Sequence, residues 1–538
     1  MRRRDFLAAA LACPAAAQTL PNGIRLPDVW PPRDAHMGSE PPPLPPYLAK
    51  PPAVIPIDGG RQLFVDDFLI AENGLRRTFH QPVPYEGNPV LKADRPWEFD
   101  EVAGQAMPFS DGVWFDPADG LFKMWYRSQP GTCYATSANG VDWEKPSLDV
   151  RPGTNVVHEG HRDSSAVWLD QFETDPKKRY KFLYSSGHMR PLHLHHSPDG
   201  IHWGEPAAKS VPWSDRTTFF YNPFRRVWVL SLRDHDWGPR QPDKPGYLGR
   251  MRRYREHADL TAAMEWRDSE AVPWVTADRL DAQRIDINAR PQLYNLDAVA
   301  YESVMLGLFT IWRGQYFDSE KPNDVTVGFS RDGFHWHRPD RRPFLPVSRR
   351  FGDWNFANVQ SAGGCCLVVG DRLYFYMSGR GGAKSVRRSG EMSTGLATLR
   401  RDGFVSMEAG AAGGTLTTRP VRFSGRHLFL NTDSLAGDLR VELLGEDGKP
   451  RAASVPLSVD NTLQRVAWQD APDLAPFTGK PVRFRFHLRH ARLYAFWVSA
   501  DETGASKGFV AAGGPGFHGP ADTVGSDLYR FCCTPRIW

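Results

Sequence analysis

The chain has few cysteines, little net charge and no long apolar segment. It holds 6 cysteines in 538 residues, and neither adjacent pair, Cys365-Cys366 or Cys532-Cys533, has the Cys-x-x-Cys spacing of a metal site. The net charge is only +4 and no long basic run occurs, so nothing indicates nucleic acid as a partner. No segment reaches the about 18 apolar residues of a membrane span. These features exclude a nucleic-acid-binding protein and a membrane-spanning helix, and no ligand spacing requires a metal.

The N-terminus has the pattern of an export signal. Arg3-Arg4 is followed by a short alanine-rich run and by small residues up to Ala17, which predicts a twin-arginine signal peptide over residues 1–17. We therefore expect a periplasmic or secreted protein. The mature chain would keep an odd number of cysteines, interpreted as buried thiols or at most one or two disulfides: Cys133, Cys365, Cys366, Cys532 and Cys533. Residues 18–56 are rich in proline, which predicts an extended linker or strap.

Aromatic residues and a repeated turn dominate the rest of the sequence. The chain has 18 Trp and 31 Phe, and the pattern Ser-x-Asp/Asn-Gly-x-x-Trp occurs at residues 137–143, 197–203 and 330–336. In this pattern Asp or Asn caps its own backbone, Gly supplies a positive φ, Ser bonds the turn amides and Trp anchors the packing. Degenerate copies end at Trp266 and Ser406, so the five anchors are spaced 60, 63, 70 and 70 residues apart. A common hairpin turn without architectural meaning is the alternative, which a single copy would favour.

Repeated β units at a near-constant period predict a β-propeller, and five anchors predict five blades. We assign the blades to residues 57–409. After a glycine-rich join, short alternating strands without the turn motif predict a β-sandwich over 415–510, followed by a tail over 511–538. The predicted fold class is all-β, a five-bladed β-propeller followed by a β-sandwich domain.

Three aspartates stand where the inner strands of the predicted blades begin. Asp111, Asp163 and Asp215 follow one another at intervals of 52 residues, and residues at the entrances of inner strands converge on one face of a propeller. Carboxylates brought together repel and lose solvation, which indicates a function. The alternative is that each Asp only caps a strand-entry turn.

A second set of polar residues is expected on the same face, at the ends of neighbouring strands and at the entrances of blades four and five. These candidate substrate-binding residues are Arg127, His188, Arg233, Asp234, Tyr294, Arg313, Gln360 and Arg380. A rim rich in arginine suits a substrate carrying carboxylate or sulfate, hydroxyl recognition, or depression of carboxylate pKa values. Solvated surface arginines are the alternative.

Asp-led inner strands, the residues Lys123-Met124-Trp125-Tyr126 and the Asp-Gly-x-x-Trp turns together resemble the five-bladed propeller glycosidases of the invertase, levansucrase and arabinanase superfamily. The resemblance covers about residues 60–500, and the trailing sandwich is similar to that of the invertases. It implies that Asp111 is nucleophile or base, that Asp163 is a stabiliser and that Asp215 stands in the place of the general acid, which is Glu in that superfamily. Glu302 is an alternative acid, although the predicted strands put it at the far turn of blade four. Since the Asn-Asp-Pro-Asn-Gly and Arg-Asp-Pro boxes are missing from the sequence, activity on fructans is not implied.

The sequence therefore predicts an exported glycoside hydrolase that acts on an oligo- or polysaccharide through axial carboxylates. One alternative is a sialidase-like hydrolase of acidic sugars, which would need six blades and a Tyr nucleophile paired with Glu. The other is a non-catalytic carbohydrate-binding propeller. No cofactor is expected, although carboxylates and water could hold a structural Ca²⁺ ion on the axis. A carbohydrate is the expected partner, and no pattern indicates an oligomeric state.

Overall fold

The computed structural model describes residues 18–33, 37–101, 103–236, 249–315, 320–381 and 390–531. The predicted signal peptide with Cys13, and the pair Cys532 and Cys533, lie outside these residues. The described part is almost entirely β-structure, with helices of one turn only. The α-helical turns are Pro46–Ala49, Leu260–Ala263 and Leu528–Phe531, and the 3-10 turns are Pro96–Glu98, Pro176–Lys178, Asp268–Glu270, Ala475–Phe477 and Gly525–Asp527. No helix among the described residues is long and apolar enough to cross a membrane.

The first three blades each contain four antiparallel strands in chain order. Blade one has Val113–Asp116, Leu121–Ser128, Gly131–Ser137 and Val156–Glu159; blade two has Ser164–Leu169, Tyr180–Ser185, Arg190–Ser197 and Ala208–Trp213; blade three has Thr218–Asn222, Val227–Asp236, Gly249–His257 and Val272–Thr276. All four residues of the first inner strand are buried. Both faces of an inner strand pack against neighbouring blades, so the inner strands have apolar residues on both sides.

Blades four and five each recruit a strand from a distant part of the chain. Blade four has Gln292–Glu302, Val304–Trp312 and Asn323–Ser330, with Phe509–Val510 paired to the end of its first strand. Blade five has Asn358–Ser361, Leu367–Val369, Arg372–Arg380 and Met392–Arg400, with Val83–Pro84 as its outermost strand. Because Val83–Pro84 precedes blade one in the sequence, its pairing with blade five ties the beginning of the ring to its end.

The five sheets close into a ring through contacts near the starts of their inner strands. Ser110 of blade one forms a parallel bridge with Ala166 of blade two. Thr218 of blade three donates to Leu296 O of blade four at 3.0 Å. Between blades five and one, Val113 N donates to Gly363 O at 3.3 Å. The predicted all-β class is confirmed, and the sheets agree with a propeller of five blades followed by a sandwich.

The sandwich consists of two sheets, and strands from before the propeller belong to both. One sheet contains Gln62–Leu63, Arg76–Phe79, Val405–Ala409, His427–Asp433, Asp460–Arg465 and Ala491–Ser499; the other contains Ile70–Asn73, Gly414–Thr418, Asp438–Leu444, Pro450–Ala453 and Arg483–Arg489. A short parallel pair, Ile55–Pro56 with Val421–Arg422, lies beside them. The predicted boundaries are corrected accordingly: residues 62–79 and 405–409 pair within the sandwich, whereas Phe509–Val510 pairs with blade four. Each of these pairings joins segments far apart in the sequence. Short alternating strands occur in both propeller blades and sandwiches, so the sequence pattern did not indicate which domain these strands join.

The repeated turn has the predicted internal hydrogen bonds and also joins neighbouring blades. In the copy at 330–336, Asp332 Oδ1 accepts from Phe334 N at 2.9 Å and from His335 N at 2.8 Å, and Ser330 Oγ accepts from Gly333 N at 2.9 Å. The turn of blade two packs on Trp125 of blade one, whose Nε1 donates to Gly200 O at 2.6 Å. The other two full copies make the same kind of contact, since Gly140 O accepts from Tyr376 and Phe334 O accepts from Trp274 Nε1, so each full copy of the motif joins its blade to the blade before it in the ring.

Replacement of Gly200 by alanine is expected to destabilise the propeller more than the same change at Gly120. Both glycines have positive φ, +79° and +73°, so each alanine should cost about 1 kcal/mol of backbone strain. Only at Gly200 would the new Cβ lie 2.4 Å from the Trp125 ring, because nothing lies within 4 Å of that position at Gly120. Overpacking should add about 1–3 kcal/mol. Urea unfolding of Gly200→Ala and Gly120→Ala measures the difference, and equal losses would contradict the packing role.

Candidate active site

Asp163 and Asp215 meet at the axis and share a hydrogen bond between their carboxyl groups. Asp163 extends the inner strand of blade two, its backbone N donating to Ser185 O at 2.9 Å. Burial, with the adjacent Asp215 carboxylate, raises the pKa of Asp163. Burial would also raise the pKa of Asp215, but the Arg233 guanidinium and the hydrogen bond with Asp163 outweigh it and lower that pKa. Of the two carboxyl groups, Asp163 is therefore the one that more readily keeps a proton, and Asp215 the one that more readily ionises.

Asp111 lies at the entrance of blade one, enclosed by its neighbours. Its side chain is fully buried, and Arg162 Nη2 lies 2.7 Å from Asp111 Oδ2. Burial raises the pKa of Asp111, against the opposing influence of Arg162. The next residue, Gly112, has φ +81°, and an added Cβ would lie 2.3 Å from Gly363 O. Only glycine fits this close approach of blades one and five, which allows the chain to turn directly from Asp111 into the inner strand.

Arg216 connects the carboxylates of the different blades. It is only 2% exposed and occupies the left-handed region with φ +57°. Its Cζ lies 4.4 Å from the Phe109 ring centroid and 5.9 Å from that of Tyr294. Four carboxyl groups lie around Arg216: Asp111, Asp163, Asp215 and Asp297. Burial is the largest influence on the pKa of each of them, and Arg216 opposes the effect of burial at all four.

Asp297 is a fourth axial carboxylate that the sequence analysis missed. It accepts from Ser361 Oγ at 2.6 Å and from Asn295 Nδ2 at 2.9 Å, and burial raises its pKa. Residues i and i+2 of a strand share a face. Asn295, at the predicted entrance of blade four, could therefore have pointed to Asp297.

Arg252 and Arg162 were also missed. Arg252 is fully buried, and it donates to Arg216 O and Tyr294 O, both at 2.6 Å, and to Asn295 Oδ1 at 2.7 Å. A charged residue so deep in a blade carries no distinguishing pattern in the sequence. Arg162 directly precedes Asp163, and that position was its only signal.

Four of the predicted binding residues lie around the aspartates. Arg233 is paired with Asp215, and its Cζ lies 5.1 Å from the Tyr294 ring centroid. The register shifts between Leu293 and Asn295, which places Tyr294 in a β-bulge. Bulges re-aim side chains beside functional sites. Arg380 Cζ lies 5.8 Å from the Phe109 ring centroid.

Arg127, the fourth, is half-buried near Asp163. Burial, together with Arg380 and Arg162, lowers the pKa of Arg127 to about 10. Two further predictions lie at the edge of the same cluster. His188 Nδ1 is 3.2 Å from Ser214 Oγ. Against burial, which raises the pKa of Asp215, His188 adds a smaller lowering influence than Arg233, Asp163 and Arg216. Gln360 is buried and donates to Asn358 Oδ1 at 2.8 Å.

Three predicted site residues lie elsewhere. Glu302 ends the strand Gln292–Glu302, about 25 Å along it from Tyr294 at about 3.3 Å per residue. There Arg401 Nη2 lies 3.1 Å and Arg61 Nε 3.5 Å from its Oε1. The alternative general acid is therefore corrected: Glu302 belongs to the interface between propeller and sandwich.

Two predicted substrate-binding residues, Asp234 and Arg313, also lie away from the axial carboxylates. Asp234 follows Arg233 in a strand and so faces the opposite side, where Arg253 Nε lies 2.5 Å from its Oδ2. Arg313 is held within blade four by Asp324 Oδ1 at 2.7 Å and Ala282 O at 2.8 Å. Neither residue joins the axial carboxylates.

A structural calcium ion on the axis stays a hypothesis raised by the sequence. Among the described residues no three His, Cys, Asp or Glu side chains are arranged to hold a metal. Arg162 lies beside Asp111 Oδ2 and Arg233 beside Asp215 Oδ1, so each guanidinium competes with a cation for one oxygen of these carboxylates. Cys133, Cys365 and Cys366 are buried free thiols.

No protein-family model matches the chain, and no curated protein matches it. Among solved structures, the chain is similar to an N-acetylgalactosamine deacetylase from F. plautii in complex with blood group B trisaccharide, with 14% identity, 60% of this chain and 96% of that chain covered, and a TM-score of 0.41. It is also similar to a family-43 arabinoxylan arabinofuranohydrolase from Bacillus subtilis in complex with cellotetraose, with 11% identity, 78% and 99% covered, and a TM-score of 0.35. A thermostable family-43 glycoside hydrolase has 12% identity, 57% and 94% covered, and a TM-score of 0.39. At these identities and TM-scores the likenesses assign no activity to this chain.

Proposed function

We propose that the protein is a glycoside hydrolase that cleaves an oligo- or polysaccharide with its axial carboxylates. The observation that carries the proposal is the hydrogen-bonded pair of Asp163 and Asp215, whose pKa values are shifted in opposite directions. Cleavage of a glycosidic bond needs a carboxyl group that stays protonated until it donates to the leaving oxygen, and an ionised carboxylate nearby. This pair, with Asp111 beside it, supplies both.

The roles of Asp163 and Asp215 are the reverse of those that the resemblance implies. Arg233 holds Asp215 ionised, so the proton resides on Asp163. Asp163 is thus the proposed general acid, and Asp215 keeps that acid protonated by its negative charge. An Asp in place of the superfamily's Glu at the third position suits a supporting role, since its side chain is shorter by one methylene.

Asp111 is the proposed base or nucleophile. Reacting carboxyl groups flank the scissile bond at about 5–5.5 Å in retaining and about 6.5–9.5 Å in inverting glycosidases. Asp163 and Asp215 are hydrogen-bonded to each other and therefore stand too close to flank it. The opposite carboxylate is then Asp111, whose Oδ2 lies beside Arg162 and whose Oδ1 is the oxygen proposed to react.

Activity should follow a bell-shaped dependence on pH, and Arg162→Gln should move its acid limb to higher pH. The acid limb reports protonation of Asp111, the proposed base or nucleophile, whose pKa is raised by burial and opposed by Arg162. Loss of that positive charge raises the pKa of Asp111 further, so its proton binds at higher pH. The alkaline limb reports loss of the proton from Asp163. The profile of kcat/KM against pH is the measurement, with Arg253→Gln, whose guanidinium pairs with Asp234 away from the axial carboxylates, as control. An acid limb unchanged by Arg162→Gln would contradict the assignment.

The proposal is tested by release of reducing sugar from aryl glycosides and from plant and bacterial polysaccharides. Release by the mature protein and not by Asp111→Asn is expected. A protein that binds a glycan without cleaving any would instead support the non-catalytic carbohydrate-binding alternative. The sialidase-like alternative needs six blades, and the ring formed by the described residues has five.

A further inference from the structure

Guanidinium groups outnumber carboxylates among the described residues at the axis. Six arginines act electrostatically on five aspartates or on one another: Arg127, Arg162, Arg216, Arg233, Arg252 and Arg380, with Asp100, Asp111, Asp163, Asp215 and Asp297. Burial and the Asp215 carboxylate raise the pKa of Asp163, which favours its neutral form. The described part of the site therefore carries an excess of positive charge.

Two aromatic rings hold several of these groups in place. Arg216 lies over both Phe109 and Tyr294, and Arg233 lies over Tyr294. Arg250 Cζ is 5.5 Å from the Tyr294 ring centroid, and Arg380 lies over Phe109. A guanidinium packed on a ring keeps its N–H groups at its edge, where they can donate to an oxyanion in the fork geometry that carboxylate and sulfate match.

Arg127 is attracted by Asp163 and Asp100 but makes only a weak side-chain hydrogen bond among the described residues. Among the described residues, the hydrogen bond of its guanidinium is to Met392 Sδ at 3.6 Å, and a thioether is a weak acceptor. Burial and the repulsion from Arg380 and Arg162 lower the pKa of Arg127 to about 10. An anion placed between these arginines would relieve that repulsion.

Support of the catalytic carboxylates does not account for all of this charge. Asp215 pairs with Arg233, which is the largest of the influences that lower the pKa of Asp215. The pKa values of Asp111, Asp163 and Asp297 remain raised by burial despite the surrounding arginines. Positive charge beyond that needed for the reaction is therefore present where a substrate would lie.

We propose that the axial site binds an anionic sugar residue, a uronic acid or a sulfated sugar, whose oxyanion is held by Arg127, Arg216 and Arg380 beside the bond to be cleaved. This inference rests on the proposed function and names its substrate class. Both kinds of sugar carry an oxyanion on a pyranose ring, which is planar in the carboxylate of a uronic acid and tetrahedral in a sulfate group. The experiment below distinguishes a uronic acid from a sulfated sugar.

Isothermal titration of the mature protein tests the proposal. The ligands are glucuronate, galacturonate and galactose 6-sulfate, each beside a neutral counterpart: the methyl ester of each uronate, and galactose for the sulfate. At least one anionic sugar is expected to bind about 10- to 100-fold more tightly than its neutral counterpart, since hydrogen bonds to charged groups contribute that much. Preference for a uronate or for the sulfated sugar identifies the source of the oxyanion.

Arg380→Gln should abolish the preference, and Arg127→Lys should weaken it because a lysine keeps the charge without the fork. Arg489→Gln, exposed in the sandwich, should retain it. Equal binding of charged and neutral sugars by the native protein, or no binding of any anionic sugar, would overturn the inference, and this comparison does not depend on how the variants fold. Anionic binding without glycan cleavage would instead overturn only the proposed function, and cleavage of neutral glycans without anionic preference would overturn only this inference.

Discussion

Asp163→Asn is expected to lower kcat by about 10²- to 10⁴-fold, the usual contribution of a general acid. The amide has almost the volume of the carboxyl group but cannot deliver the proton that Asp163 holds in its pair with Asp215. Binding of the glycan should change little, because the arginines around the site remain. Steady-state kinetics with an aryl glycoside, together with titration of the unhydrolysed glycan, measures both effects.

Asp234→Asn is the matched control for this experiment. It makes the same chemical change in the adjacent blade, at the residue after Arg233, but on the face that pairs with Arg253. Its kcat should stay within about twofold of the native value, as for surface changes away from special features. A loss at Asp234 equal to that at Asp163 would mean that charge in the third blade, rather than the paired carboxyls, controls turnover.

Arg61→Met is expected to reduce the free energy of unfolding by about 3–5 kcal/mol, the effect of leaving buried charges without their partner. Arg61 is fully buried between propeller and sandwich, where its Nη1 donates to Asp402 Oδ2 at 2.9 Å and to Thr462 O at 2.8 Å. Its Cζ also lies 4.1 Å from the Trp497 ring centroid. Without it, Arg401 would be the one cation that the described residues leave near Glu302 and Asp402.

Urea unfolding followed by tryptophan fluorescence measures this loss, with Arg489→Met as the control. Arg489 pairs with Asp438 on the surface, and exposed pairs contribute about 0–1 kcal/mol. Folded Arg61→Met should keep the native kcat because the interface is remote from the axis. A stability within about 1 kcal/mol of the native protein would contradict the role of the buried cluster, and a selective loss of kcat would reopen Glu302 as a catalytic group.

The architecture was predictable from the sequence because the interblade turn must occur once in every blade. Gly200 and its counterparts mark those turns, and the equal spacing of Asp111, Asp163 and Asp215 follows from blades of similar length. The closing strand Val83–Pro84 was not predictable, because its pairing with Met392–Arg400 joins segments about three hundred residues apart. Nothing in two residues indicates which of several open edges they will meet.

The membership of the site was predictable only in part, for similar reasons. Strand phase decides whether Arg233 or Asp234 faces the axis, and the sequence does not contain that phase when both are polar. Strand length decides that Glu302 lies at the far end of an 11-residue strand. The distribution of the proton between Asp163 and Asp215 depends on Arg233, which is a tertiary contact, so the order of residues along the chain could not assign the acid.

The most direct test of the account is hydrolysis of glycan pools in water enriched in ¹⁸O, followed by mass spectrometry of the products. Water that attacks the anomeric carbon leaves its oxygen on the new reducing end. We predict ¹⁸O at new reducing ends with the native protein and none with Asp163→Asn. No new reducing ends from any glycan, or ¹⁸O found only in small acids released from sugar substituents, would contradict glycoside hydrolysis by the axial carboxylates.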